Sequence, residues 1–300
     1  MDNATNSTSN PVKRAWGFIL IGWFIITIAL FASSWFLTNS GQFGLSGRTA
    51  TWLKALIMSG ITVPGIIWLA TRIDSCSLRQ LGIPKTGRFI RHVLLGLGLV
   101  FIPFLLTLVI SLAFGWVDVQ FNAGNGVLIS VFSGFAITFL FEALPEELAV
   151  RGYILHRLNT VYRRWLAGLI SVGLFVLVPV FLYLVNRFLL GEEISIGGSN
   201  GLRPSYLIIM VLFGAFLVYL RVVTRSIVVG MGFHLGFVHF DRIMGLESHH
   251  LIQFTDASGE GPMQMVLLIC FVIMLVGLFL YPRWRGRKMG WQEYAMLGGA

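Results

Sequence analysis

Residues 126–157 read GVLISVFSGFAITFLFEALPEELAVRGYILHR, an apolar run that carries Glu142, Glu146, Glu147 and Arg151 in its second half. Roughly twenty apolar residues, rising about 1.5 Å each, cross the ~30 Å hydrocarbon core of a bilayer as a helix. An ionisable side chain on such a helix costs several kcal/mol unless it is paired or hydrated, which makes each of the four a functional candidate. Glu147 and Arg151 are spaced i,i+4 and can pair along one face. Glu146 lies about 100° round the helix from Glu147 and shares a face with Glu142. Two carboxylates stacked in a poorly hydrated place repel, so one is expected to hold a proton while the other serves as a base. Pro145 cannot donate to the helical ladder and is expected to kink the helix or to begin a fresh one. The bland alternative is a structural ion pair that ties this helix to its neighbours.

The rest of the chain repeats the apolar pattern. Of 300 residues 56% are hydrophobic and 12% charged, with a mean hydropathy of +0.81. Soluble domains carry about a quarter charged residues, so this chain needs lipid to cover its surface. Spans are predicted near 17–38, 51–71, 92–116, 126–157, 165–190, 205–221, 225–240 and 263–282, the seventh being the shortest. Lys and Arg then fall unequally on alternate sides: omitting Arg151, 16 lie on the side holding both termini and 5 on the other. By the positive-inside rule both termini are cytoplasmic, and an odd number of spans would scramble the alternation. The expected fold is therefore all-α and polytopic, with about eight transmembrane helices. Residues 1–15 form a polar cytoplasmic segment, 16–282 a single transmembrane domain, and 283–300 a basic cytoplasmic tail that lies against anionic lipid.

The net charge of +9 flanks the apolar segments instead of forming a stripe, which excludes a nucleic-acid partner in favour of membrane lipid. The first apolar run exceeds a signal-peptide core and reads as an uncleaved anchor. Stretches 186–204 and 241–262 read as loops. With one cysteine in a polar connection (Cys76) and one in an apolar run (Cys270), neither a shared disulfide nor a cysteine metal site is expected. His249 and His250 read as part of a solvated loop, and His92 and His156 as helix-end residues. Asn3-Ala4-Thr5 is a glycosylation sequon on the cytoplasmic side of this topology.

One further residue stands out. His234, in Gly230-Met231-Gly232-Phe233-His234-Leu235-Gly236, is nine residues from Arg225, while Glu147 is ten from Arg157. With both arginines at one surface, Glu147 and His234 are expected at a common depth of about 13–15 Å. A Glu and a His at one depth can meet.

Glu146-Glu147-x-x-x-Arg151 followed by Gly152-Tyr153, with a later membrane His, resembles the CPBP family (CAAX proteases and bacteriocin-processing enzymes, also called Abi), which includes the Ras-converting prenyl endopeptidases. The resemblance covers about 138–158 and 224–240, within a motif region of 126–240. It implies an intramembrane endopeptidase in a bacterial cell (inner) membrane, acting on a peptide or protein substrate near the cytoplasmic face. It also assigns roles: Glu146 the general base on water, Glu147 its supporting acid, Arg151 the residue that orients them, and His234 the donor to the developing oxyanion. These roles suit a carboxylate of raised pKa and a donor aimed at forming charge.

The sequence departs from the family pattern twice. The middle motif, Phe-x-x-x-His, is best matched by Phe175 to Pro179, which ends in proline, and the polar residue expected four after His234 is Val238. His239 is one position off, Asp241 lies two turns along, and Tyr183 and Asn186 are the polar residues nearby on the fifth span. So few donors leave a tetrahedral metal poorly supplied, and no zinc or other cofactor is expected. A catalytically inactive relative, acting as a bacteriocin-immunity factor or membrane scaffold, is the alternative function. A proton-coupled transporter is a third, although no internal repeat of the kind many transporters carry is present.

Overall fold

The computed structural model describes residues 11–45, 47–121, 127–191, 195–196, 199–200, 202–244, 252–256, 269 and 272–280. Its fold is all-α. Among the described residues, six helices have the length and hydropathy to cross a bilayer: α1 Pro11–Phe43, α2 Gly47–Ile73, α3 Phe89–Ala113, α4 Ile129–Val161, α5 Arg164–Leu190 and α6 Pro204–Thr224. The seventh, α7, runs Ile227–Met244 and has a shorter apolar stretch, Ile227–His239, where the sequence also placed its shortest span. Of the span expected at 263–282, Val272–Leu280 is described and helical. The readings placed on Asn3, Cys270, His249, His250 and the tail after Pro282 fall outside the described residues.

The helices are less regular than the sequence suggests, and the helical residues of α1 include Pro11–Ala15, inside the stretch read as a polar segment. Large apolar side chains such as Ile90, Phe132, Leu169 and Phe188 are exposed along the helices, as a chain solvated by lipid requires. Stretches read only as loops contain short ladders. Val117–Phe121 (β1) pairs antiparallel with Ile252–Asp256 (β4), and Ser195–Ile196 (β2) with Ser199–Asn200 (β3).

The chain divides into two compact units, changing over at Ile83/Pro84, Leu144/Pro145 and Tyr219/Leu220. In the first (residues to 83 and 145–219), α1 packs along α2, on α5 and on the part of α4 after Pro145. Trp23 donates its indole N–H to the Leu174 carbonyl of α5 at 2.9 Å. In the second (84–144 and 220–289), α3 packs along α7, and α7 also meets the part of α4 before Pro145. The α3–α7 contact is made of glycine. A Cβ on Gly96 would stand 2.2 Å from the Val229 carbonyl oxygen, and one on Gly232 would stand 2.3 Å from that of Val93. The backbones thus touch directly, as small residues permit between membrane helices. α7 is started by Ser226, whose hydroxyl accepts the Val228 N–H at 3.2 Å and lies 2.9 Å from His92 Nδ1. His92, a helix-end residue as read from the sequence, thus also tethers α3 to α7.

Candidate active site

Around Pro145 the winding of α4 changes. The helix winds with π-type turns over Phe139–Ala143 and Glu147–Ile154, on either side of a short α stretch holding Pro145 and Glu146. Such wide turns absorb a residue that cannot donate to the i→i−4 ladder, and π-wound segments are frequent at functional sites. Pro145 thus coincides with a change of winding in the helix.

This winding carries the acidic motif. Glu147 and Arg151 are buried, 0% and 1% exposed, and Arg151 Nη1 donates to Glu147 Oε1 at 3.1 Å. The i,i+4 pairing expected from the sequence is present. Arg151 is further held by two neighbours that the spacing gave no hint of. Its guanidinium lies 4.1 Å from the centre of the Phe175 ring of α5, a cation–π contact. On α6, a Cβ added to Gly214 would come within 3.3 Å of Arg151 Nη2 and 3.2 Å of Phe175. Glycine at 214 leaves the guanidinium its space. The charge is thus enclosed by a carboxylate, an aromatic face and a bare backbone.

Glu146 is half-buried at the start of the second π-wound segment, and Glu142 is half-buried on the first. Glu146, Glu147 and Arg151 belong to the first unit, and Glu142 and His234 to the second. Within the second unit, His234 is 2% exposed on α7, between Gly232 and Gly236 of the α3 contact. His239 is also buried. Its ring centre lies 3.8 Å from that of Phe135 with the planes tilted by 43°, and its Cε1 lies 2.8 Å from where a Gly134 side chain would start. α7 also packs on Phe139–Ala143, the turn immediately ahead of the acidic motif.

Residues 127–240 match a family model described as Rce1-like, type II CAAX prenyl endopeptidase Rce1-like. That stretch, less than half of the chain, is similar to the CAAX proteases of the CPBP family. The helices of membrane-spanning length and hydropathy make the chain an integral membrane protein. No curated protein matches it. Within the CPBP region, Pro179 is buried inside α5, one turn from the Phe175 that stacks on Arg151. Where the resemblance places the middle motif, the aromatic Phe175 is present and position 179 is proline. Asn186 is buried and spends its amide N–H on the Leu182 carbonyl of its own helix, at 2.8 Å. Among the described residues, no three His, Cys, Asp or Glu side chains gather as a metal set.

Proposed function

We propose that the chain is an intramembrane endopeptidase in which a glutamate-activated water attacks a peptide bond near the cytoplasmic face. The observation that carries the reading is the buried, enclosed Glu147–Arg151 pair next to the half-buried Glu146, on a π-wound turn inside the CPBP region. A carboxylate whose charge is already spent on a guanidinium is a poor base, and the resemblance to the CPBP family gives the base role to its neighbour. Glu146 accordingly accepts the proton of the attacking water. The hydroxide adds to the carbonyl carbon, and the oxyanion is met by an N–H of His234, the larger stabilising term in reactions of this type. Glu146 then returns its proton to the departing amine as the C–N bond breaks, leaving a carboxylate and an amine product.

In this reading the substrate is a peptide or protein tail held in lipid, the setting is a bacterial inner membrane with both termini inside, and no cofactor is required. Purified protein and Glu146→Ala, incubated with a farnesylated peptide ending in a CAAX tetrapeptide, should differ. Wild type releases the terminal tripeptide and the variant does not. Equal release by both contradicts the mechanism. Pro179 in the place of the middle His favours a second reading, a non-catalytic scaffold or immunity protein of the same fold. In that case Glu146→Ala leaves the cellular phenotype intact while Arg151→Ala lowers the folded yield.

A further inference from the structure

A second buried ionic cluster lies in the first unit, away from the acidic motif and unused by the reaction above. Its centre is Asp74, the only Asp or Glu between Asp2 and Asp118. Its side chain is buried and takes three partners. Tyr153 donates its hydroxyl to Oδ2 at 2.9 Å, Arg157 pairs with Oδ1, and the Cys76 thiol lies 3.5 Å from Oδ2. Tyr153 and Arg157 are one turn apart on α4, and Tyr153 belongs to the same π-wound segment as Glu147 and Arg151.

The surroundings are shaped to this contact. α2 ends in a π-type turn, after which the Asp74 N–H bonds the Leu69 carbonyl at 3.0 Å and the Cys76 N–H bonds that of Ala70 at 2.7 Å. Between them Ser75 has a φ of +54°, a left-handed conformation that residues with side chains seldom adopt. That reversal sets Asp74 and Cys76, the residues on either side of it, in the interior. On the far side, Gly22 of α1 makes room for the fully buried Tyr153, whose ring atoms lie 3.0 and 3.2 Å from where a Gly22 side chain would start. Arg157 is backed by the Phe18 ring at 5.1 Å. A strained turn, an isolated acid and a glycine notch thus converge on two points of α4.

We infer that Asp74 is a positioning residue for the acidic motif: by holding Tyr153 and Arg157 it fixes the rotation and height of the Glu147–Ile154 segment. A π-wound helix has a looser ladder than an α-helix, so its side chains need an outside reference to stay in register. A buried carboxylate with two directional donors one turn apart supplies it. The inference rests on the proposed hydrolytic reading for its catalytic consequence, but not for its structural one.

The test uses full-length protein in lipid nanodiscs, comparing wild type, Asp74→Asn, Tyr153→Phe and the exchanged pair Asp74→Arg with Arg157→Asp. Turnover of the farnesylated CAAX peptide is measured beside hydrogen exchange of the amides of 147–157. In Asp74→Asn, kcat is expected to fall at least tenfold with KM within twofold. Exchange over 147–157 should quicken at least fivefold while that of α5 and α6 is unchanged, and the exchanged pair should recover part of both. Wild-type kcat and exchange in Asp74→Asn overturn the inference, as does quickening spread evenly over all helices. If wild type itself does not cleave the peptide, the hydrolytic reading fails, and exchange alone decides for or against Asp74 as the reference point of the segment.

Discussion

In the unit formed by residues to 83 and 145–219, buried charge is met by opposite charge: Glu147 faces Arg151 at 3.1 Å, and Asp74 pairs with Arg157. In the unit formed by 84–144 and 220–289, His234 and His239 are buried on a helix whose glycines bring the α3 and α7 backbones into contact. One unit holds its polar groups by electrostatics and the other by closeness of main chain. The first arrangement fails when one partner is removed and the second when an atom is added. Ion pairing also leaves its members replaceable as pairs, whereas backbone contact tolerates no side chain at all.

The largest effect is expected from splitting a pair. Arg151→Ala leaves Glu147 as an uncompensated buried charge, which costs about 3–5 kcal/mol. The folded fraction after detergent extraction should drop sharply, and the double variant Glu147→Gln with Arg151→Met should recover most of it without recovering activity. Next comes Gly96→Ala. Its Cβ would meet two backbone atoms of α7, Val229 O at 2.2 Å and Phe233 N at 2.6 Å, neither of which can rotate away. A loss of about 1–3 kcal/mol is expected, read as a lower thermal midpoint. A normal midpoint would mean that the α3–α7 contact is looser than described.

What could be read beforehand follows the same division. The spans α1–α6 and the shortness of α7 were legible, because apolar runs of membrane length have few alternatives. The Glu147–Arg151 pair was legible from its spacing. Phe175 was not: it reads as the opening of a motif that Pro179 ends, yet it is the aromatic face on which Arg151 rests. Gly214 gave no signal, since the need for a missing side chain appears only when two other helices are in place. Asp74 did carry one. It stands alone among Arg72, Arg79, Lys85, Arg88 and Arg91 in a connection read for its positive charge, and a solitary acid there was the clue. The π winding and the β1–β4 ladder depend on contacts far apart in sequence and leave no local pattern.

Two smaller effects sharpen the contrast. Gly214→Ala would bring its Cβ within 3.2 Å of Phe175 and 3.3 Å of Arg151, closer than ordinary contact, so those side chains must give by a few tenths of an ångström. A loss near 1 kcal/mol is expected, with a larger proportional loss of activity than of stability. Cys76, outside the spans, is buried and its thiol pKa is pushed up by that burial. The thiol form is therefore favoured at neutral pH, and alkylation should be slow in folded protein. Its rate should go on rising with pH beyond about 8.5, where an exposed thiol levels off. Alkylation at the rate of an exposed cysteine would place Cys76 at the surface.

The central claim is that the two adjacent glutamates do different work, and it is tested most directly by measuring turnover of the farnesylated CAAX peptide and thermal midpoint for Glu146→Gln and Glu147→Gln together. The account predicts that Glu146→Gln loses about a hundredfold or more in kcat, as expected for a missing general base, with an unchanged midpoint, whereas Glu147→Gln loses both activity and stability. Full activity in Glu146→Gln, or a collapse of stability in that variant equal to that of Glu147→Gln, would contradict it.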